Sequence, residues 1–215
     1  IGLMSDGGIH SHSDHLLGVV ETLVATNTSI YIHAITDGRD TAPEAAQAQL
    51  AALDAHIKKY PNVQIVDVCG RFYAMDRDNR SERTQAATDL YMQQKSPHQA
   101  ENAAAAAAAA YARGETDEFI APTCLPATTS RESCAVGKDD TVVFFNFRAD
   151  RMRRLVAAFI AKTYKNIFTM TTYDSAFAEN VSVLYPPEAI KNTLGEVVAT
   201  AGKSQFRIAE TEKYP

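Results

Sequence analysis

Short apolar segments alternate with amphipathic segments along most of the chain, and this pattern is typical of α/β proteins. In the segment 13–25, Leu16, Val20 and Leu23 recur at helical spacing and fall on one face. Apolar runs rich in β-branched residues predict strands. The predicted strands are residues 1–4, 30–35, 63–68, 141–147, 167–172, 181–184 and 204–210. The predicted helices are residues 13–25, 43–59, 81–94, 152–161 and 188–201.

Two segments depart from this alternation. Residues 103–110 are eight consecutive alanines, and because alanine is the best helix former, they predict a helix, which we place on the surface. Residues 116–140 are rich in Pro, Thr and Ser and predict a long connection with one or two short strands.

Composition narrows the class of protein. The chain has 215 residues, 46% of them hydrophobic, and a formal net charge of −5, which argues against a nucleic-acid binder. No apolar run approaches the roughly 20 residues of a membrane-spanning helix. The first residues, IGLMSDGG, have no signal-peptide features and start within a predicted strand, so we expect the chain to be part of a longer protein. Three cysteines without C-x-x-C spacing indicate a reducing cytoplasm rather than a disulfide framework.

Charged and polar residues cluster directly after the predicted strands. The clusters are residues 5–12, 37–40, 70–78, 146–151 and 210–213. Taken singly, each has an ordinary explanation: Asp-Gly-Arg-Asp at 37–40 is a good turn, and the arginines at 71–83 could be solvated charge. Together they predict one shared anion site, because strand ends in α/β folds gather ligand-binding groups. Arginines bind carboxylate and phosphate oxygens through paired hydrogen bonds, and these clusters together suggest a phosphorylated hydroxy acid.

The histidines near the N-terminus allow two interpretations. His10, His12 and His15 could bind a metal, or they could belong to a turn that leads into a helix with Ser11 or Ser13 as its N-cap. Their spacing lacks the i, i+4 pattern of helical zinc sites, so we favour substrate contact by one of them and no tight metal site. His33 lies within a strand and is expected to be a hydrogen-bonded core residue.

The strings SDGGIHSH, DGRDTAP, GRFYAMDRDNR, FFNFRADR and RIAETEKYP resemble the motifs of the cofactor-independent phosphoglycerate mutases, in that family's order and spacing. The resemblance covers essentially the whole chain. It implies an α/β, three-layer fold with a mixed β-sheet closing into a barrel and helices outside. One departure is Ser81, where the family usually has Trp, and a gap would result if that position were buried.

The resemblance also implies that two domains of the full-length enzyme have different functions. Residues 1–215 would form a single transferase domain that holds the substrate. The phosphatase domain, which carries a nucleophilic serine and two Mn²⁺ ions, would be absent from this chain, so no cofactor is expected in this domain. The substrate would be 2- or 3-phosphoglycerate, and the partner would be the phosphatase domain of the same polypeptide. A monomer without nucleic-acid or membrane partners is expected. The alternative function is a stand-alone binding module for phosphorylated hydroxy acids.

Individual roles follow from the matching positions. The glycerate carboxylate and hydroxyls would be bound by His10, Arg39, Asp40, Arg71 and Arg77. The phosphoryl group would be reached by Arg148, Arg151 and Lys213. Asp40 would be the catalytic candidate, moving a proton while the bound glycerate is repositioned.

Overall fold

The computed structural model describes residues 1–127 and 133–208, and its elements follow most of the predicted alternation. Strands β1 to β8 span Gly2–Met4, Ile30–Thr36, Val63–Gly70, His98–Gln99, Thr123–Cys124, Thr141–Phe144, Asn166–Thr169 and Val181–Val183. Helices α1 to α7 span Ser13–Val24, Ala46–Ile57, Arg71–Ala74, Ser81–Gln93, Ala103–Ala112, Arg153–Ala161 and Leu194–Thr200. Short 3₁₀ helices cover Asp117–Phe119 and Ser175–Phe177.

The strands form two sheets that meet at β1. One sheet has the order β1-β2-β3-β5-β4 and the other the order β6-β7-β8. Every pair is parallel except β3–β5. The Ile1 nitrogen donates to the Val143 carbonyl at 2.9 Å, and the Phe145 N–H donates to the Ile1 carbonyl at 3.2 Å, which is a parallel bridge between the sheets. The predicted mixed sheet is confirmed, but the barrel is not: within residues 1–127 and 133–208, β4 and β8 do not pair and the sheet stays open.

Helices cover both faces of the sheet and give three layers. Successive strand residues point to opposite faces, so Ala34 of β2 packs with α1, α2 and α5, whereas Ile35 packs with α4 and α6. Leu50 of α2 and Phe159 of α6 are both fully buried, on opposite sides. The carboxyl ends of β1, β2 and β3 are therefore left uncovered by the long helices, and the polar clusters begin there.

The alanine run forms the predicted helix, but its predicted surface position is wrong. Ala103, Ala106, Ala107 and Ala110 of α5 are buried against α2 and β3. Small side chains let two helices approach closely. One face of this helix can therefore be buried in the core, although no polar residues on the opposite face distinguish it.

Other local predictions also need correction, and capping explains three of them. The strands predicted at residues 141–147 and 167–172 end at Phe144 and Thr169. Helix α2 begins three residues later than predicted, at Ala46, because the carboxylate of Asp117 accepts the N–H groups of Ala45 and Ala46. The Thr193 hydroxyl caps α7, which therefore starts at Leu194 instead of residue 188. The N-cap of α1 is His12, not Ser11 or Ser13. Residues 204–208 of the last predicted strand form no strand.

Two further points concern residues singled out from the sequence. Ser81 is exposed at the start of α4, so no core gap arises where the family usually has Trp. His33 is buried and its Nδ1 lies 2.6 Å from Asp67 Oδ2, which confirms the core role predicted for it.

No helix in the described part of the chain has the length and apolar character required to cross a membrane.

Candidate anion-binding site

An arginine-lined cleft of about 240 Å³ lies beyond the carboxyl ends of β2 and β3. Four of the predicted site residues meet in it, namely Arg39, Arg71, Arg77 and Arg151. The remaining lining residues are Phe72, Met75, Asp76, Asp78, Arg83, Glu118 and Phe119. The predicted convergence of strand-end arginines is therefore present in the fold.

The turn after β2 is built on Asp37. Its Oδ1 accepts the backbone N–H groups of Arg39 at 3.1 Å and Asp40 at 3.0 Å, the Asx-turn arrangement in which a side chain replaces a backbone acceptor. Gly38 has a φ of +66°, and a Cβ on it would lie 2.7 Å from the Asp117 Cβ, so this position requires glycine. The predicted turn is confirmed, and it places Arg39 in the cleft lining and Asp40 beside Arg71, just outside that lining.

Arg71 is the buried centre of the site. It is 2% exposed, and its Nη1 donates to Asp37 Oδ1 and to Asp40 Oδ2, both at 2.6 Å. Burial opposes ionisation of Asp37, but the Asp40 N–H, the Ser5 hydroxyl and Arg71 outweigh it and lower the pKa of Asp37. Arg71 Nε has no hydrogen-bond partner within the described residues, which leaves a buried cationic donor for a ligand.

His10 lies beside this centre and is 3% exposed. Its Nε2 is 3.9 Å from Asp40 Oδ2, and its Nδ1 is 3.4 Å from Asp150 Oδ1. The second oxygen of Asp150 is 3.1 Å from Arg148 Nη2. Burial raises the pKa of Asp150, but attraction to His10 and Arg148 and the Arg151 N–H outweigh it and lower that pKa to about 2. Asp40, His10 and Asp150 therefore connect Arg71 to Arg148 through a row of polar contacts.

The loop that carries Arg77 is stabilised by hydrogen bonds to the side chain of Asp76. The buried Asp76 carboxylate accepts from Arg83 Nη1 at 3.0 Å, Arg154 Nη1 at 3.1 Å and the Arg80 N–H at 2.9 Å. The Arg83 guanidinium also lies 3.8 Å from the centre of the Phe72 ring. Arg77 itself is 54% exposed with Asp78 at 3.7 Å, so it stands at the rim of the cleft on an ordered loop.

The opposite wall of the cleft is formed by the 3₁₀ helix Asp117–Phe119, which the sequence pattern does not predict. Glu118 Oε1 lies 3.4 Å from Arg39 Nη1, and Phe119 packs on Phe72 with ring centres 5.1 Å apart. No motif marked these residues, because they sit in the irregular segment without periodicity. Asp37, Asp76 and Asp150 were also unassigned, although each belongs to a strand-end cluster that the sequence did reveal.

Positive charge accumulates in the cleft. Burial, together with the charges of Arg71, Arg77 and Arg39, lowers the pKa of Arg151, against the opposing effect of Asp150. Like charges crowded in this way destabilise one another unless an anion offsets them. The electrostatics of the cleft thus favour a small, multiply charged anion.

Other predicted residues lie outside the cleft lining. Arg148 is 42% exposed and contacts Asp150. Lys213 lies outside the described residues. The three N-terminal histidines do not meet at one point. His10 lies beside Asp40 and Asp150, whereas His12 caps α1 with its ring 6.1 Å from that of His15, which packs on Phe147 at 5.6 Å. The described residues contain no group of three or more His, Cys, Asp or Glu side chains that could hold a metal ion. That this chain binds no metal tightly stays a prediction.

Comparisons with known proteins agree with the motif pattern. Residues 1–180 match the family described as BPG-independent PGAM N-terminus. The whole chain is 43% identical over 225 residues to a 2,3-bisphosphoglycerate-independent phosphoglycerate mutase of Yersinia pseudotuberculosis, of which it covers 43%. It is 42% identical over 226 residues to the enzyme of that name from Haloarcula marismortui, of which it covers 42%. The chain thus spans less than half the length of the curated relatives it matches.

A solved structure supports the fold. A phosphoglycerate mutase of Leishmania mexicana, crystallised at low cobalt concentration, superimposes with a TM-score of 0.78 at 22% identity, covering 94% of this chain and 40% of that one.

Proposed function

Because this chain belongs to the family of N-terminal regions of BPG-independent phosphoglycerate mutases, we propose that it is the substrate-holding domain of an enzyme that interconverts 2- and 3-phosphoglycerate. In this proposal the arginine cleft binds the phosphoglycerate. The observation that carries it is the convergence of Arg39, Arg71, Arg77 and Arg151 on one cleft. Arginine clusters of this kind suit a ligand that bears both a carboxylate and a phosphoryl group.

The buried end of the site suits the glycerate. Arg71 Nε lacks a partner among the described residues and could donate to the carboxylate, with Arg39 and Arg77 nearby. Asp40 Oδ2 and His10 Nε2 lie 3.9 Å apart beside Arg71, and both are proposed to contact a hydroxyl of the ligand. Arg148, Arg151 and Lys213 are proposed to neutralise the phosphoryl group. Holding the glycerate in this way supplies orientation and charge neutralisation, two of the main sources of enzymatic rate enhancement.

The proposed partner is a phosphatase domain of the same polypeptide. Six large apolar side chains exposed within a short stretch near the end of the described chain support this, because apolar side chains concentrated in this way are often covered by protein. They are Tyr185, Ile190, Leu194, Val197, Phe206 and Ile208, between 51% and 88% exposed. The serine nucleophile and two Mn²⁺ ions are proposed to lie on that domain. No step involving the metals is assigned to the described residues, which hold no metal-binding cluster. A monomeric state and a cytoplasmic location stay predictions.

The 215-residue chain alone is expected to show no sustained interconversion of 2- and 3-phosphoglycerate, with or without Mn²⁺. The proposal requires a phosphoserine intermediate on another domain, and holding the substrate does not replace a nucleophile. An enzyme-coupled assay of the purified chain tests this. Sustained turnover that scales with protein concentration would contradict the two-domain assignment.

Removing either of two arginines is expected to weaken 3-phosphoglycerate binding to this chain. Arg77→Ala and Arg148→Ala each remove one charged donor, and a hydrogen bond involving a charged group contributes about 1.5–3 kcal/mol. We therefore expect dissociation constants at least roughly tenfold higher than that of the wild type, since about 1.4 kcal/mol corresponds to a factor of ten. Calorimetric titration measures this.

Arg113→Ala is the matched control for these two variants, because Arg113 is paired with Glu115 at 2.7 Å and does not line the cleft. Equal affinity for 3-phosphoglycerate in all four proteins would place the ligand elsewhere.

A further inference from the structure

Two buried polar atoms at the site lie close together, each without a hydrogen-bond partner among the described residues. His10 Nδ1 and Asp150 Oδ1 have no hydrogen bond to any described residue, and they lie 3.4 Å apart. Buried polar atoms in native proteins nearly always form a hydrogen bond, so two neighbouring buried atoms without one need an explanation. At 3.4 Å the separation is only slightly long for a hydrogen bond, so a small reorientation of the His10 ring would pair the two atoms.

We propose that Asp150 is a positioning residue that fixes the ring of His10 and the guanidinium of Arg148 for the ligand. This rests on the function proposed for the cleft. In a histidine, the hydrogen bond made by one ring nitrogen decides what the other nitrogen presents. A proton on Nδ1, donated to Asp150, leaves Nε2 as the atom that faces Asp40 and the ligand. The same carboxylate holds Arg148 through its other oxygen at 3.1 Å, so one side chain aligns a glycerate contact with a phosphoryl contact.

Simple attraction of the ligand does not account for Asp150. A carboxylate beside an anion site repels the anion, and Asp150 is only 14% exposed, so little water screens it. Its removal should therefore strengthen binding if charge were its sole effect. If Asp150 instead positions His10 and Arg148, its removal should weaken binding. The two roles therefore predict opposite changes in affinity.

The backbone around Asp150 is held independently of its side chain. The N–H groups of Phe147 and Arg148 both donate to the His10 carbonyl, at 3.0 and 3.1 Å. A nearly isosteric change at Asp150 should therefore leave this segment in place and act on the His10 ring and on Arg148.

The first arm of the test is a calorimetric titration of the 215-residue chain with 3-phosphoglycerate and, separately, with inorganic phosphate. Asp150→Asn is expected to raise the dissociation constant for 3-phosphoglycerate about tenfold, the effect of losing one charge-assisted contact. Inorganic phosphate retains the Arg148 contact but has no glycerate for His10 to contact, so its affinity should fall by less than that of 3-phosphoglycerate.

Asp14→Asn serves as the matched control for this titration. Asp14 is 80% exposed and lies 3.5 Å from His12 Nδ1, a similar carboxylate–histidine pair outside the cleft. It is expected to leave both affinities unchanged.

The second experiment uses ¹⁵N NMR of the histidine nitrogens, without ligand, to determine which ring nitrogen of His10 carries the proton. The wild type should show His10 protonated at Nδ1, and Asp150→Ala should change the two nitrogen signals. Unchanged His10 signals would overturn the proposal, as would binding of 3-phosphoglycerate to Asp150→Asn as tightly as to the wild type. If the wild type does not bind 3-phosphoglycerate at all, the proposed function fails, and the NMR arm alone decides the role of Asp150.

Discussion

Asp40→Asn is expected to lower kcat by roughly 10²–10⁴ in a full-length mutase that contains this sequence, the usual range for loss of a general acid or base. Asp40 Oδ2 accepts from Arg71 Nη1 at 2.6 Å and lies 3.9 Å from His10 Nε2. A carboxylate among arginines weakens net anion binding, so its presence indicates a role beyond affinity. That role is proposed to be proton transfer or guidance of the glycerate while it turns.

The KM for phosphoglycerate should change much less than kcat in Asp40→Asn, because an interaction made mainly in the transition state affects kcat. Slow release of phosphate from phosphoglycerate should partly survive, since the proposed nucleophile lies on another domain. Asp54→Asn, at an exposed position of α2, is the control and should retain wild-type rates. Wild-type interconversion by Asp40→Asn would leave Asp40 as a turn residue only.

Arg71→Met is expected to reduce the free energy of unfolding by about 3–5 kcal/mol, the usual cost of removing one partner from a buried ion pair. Arg71 and Asp37 are 2% and 1% exposed, so the variant would bury the Asp37 carboxylate without its cation and would also remove the 2.6 Å hydrogen bond to Asp40. Methionine has a similar shape, which limits the loss from packing itself. Urea unfolding of the isolated chain measures the difference.

The destabilisation by Arg71→Met should depend on pH in a defined direction. Asp37 has a lowered pKa in the folded protein, so its contribution to stability is complete above about pH 4, the pKa of aspartate in an unfolded chain. That contribution is lost as the pH falls through the lower pKa of the folded state. The gap between wild type and variant should therefore be widest near neutral pH and narrow in acid. A gap no larger than that of Arg113→Met, which removes a surface pair worth about 0–1 kcal/mol, would contradict the role of Arg71.

Hydrophobic patterning predicted the elements whose two faces differ in polarity. Helices α1, α4 and α6 begin and end within one residue of their predicted bounds. The alanine run gave the right element in the wrong environment, because eight identical side chains carry no information about which face is buried. The late start of α2 depends on Asp117, about seventy residues away in sequence, and local patterns cannot reveal such a contact.

The site was predictable as a set of clusters and less so as individual contacts. The positions of four arginines directly after predicted strands indicated that they would be neighbours, and all four line one cleft. They are Arg39, Arg71, Arg77 and Arg151. Which acid pairs with which arginine depends on side-chain geometry, so the roles of Asp37 and Asp76 were not visible. Glu118 reaches Arg39 from an irregular segment, where neither periodicity nor a motif gives a signal.

A crystal structure of the 215-residue chain grown with saturating 3-phosphoglycerate tests the central claim most directly. We expect the ligand in the arginine cleft, with its carboxylate and hydroxyls near Arg71, His10 and Asp40 and its phosphoryl group toward Arg148 and Arg151. An empty cleft with the ligand bound elsewhere, for example in the cavity of about 490 Å³ lined by Gln94, Gln99 and Cys124, would contradict it.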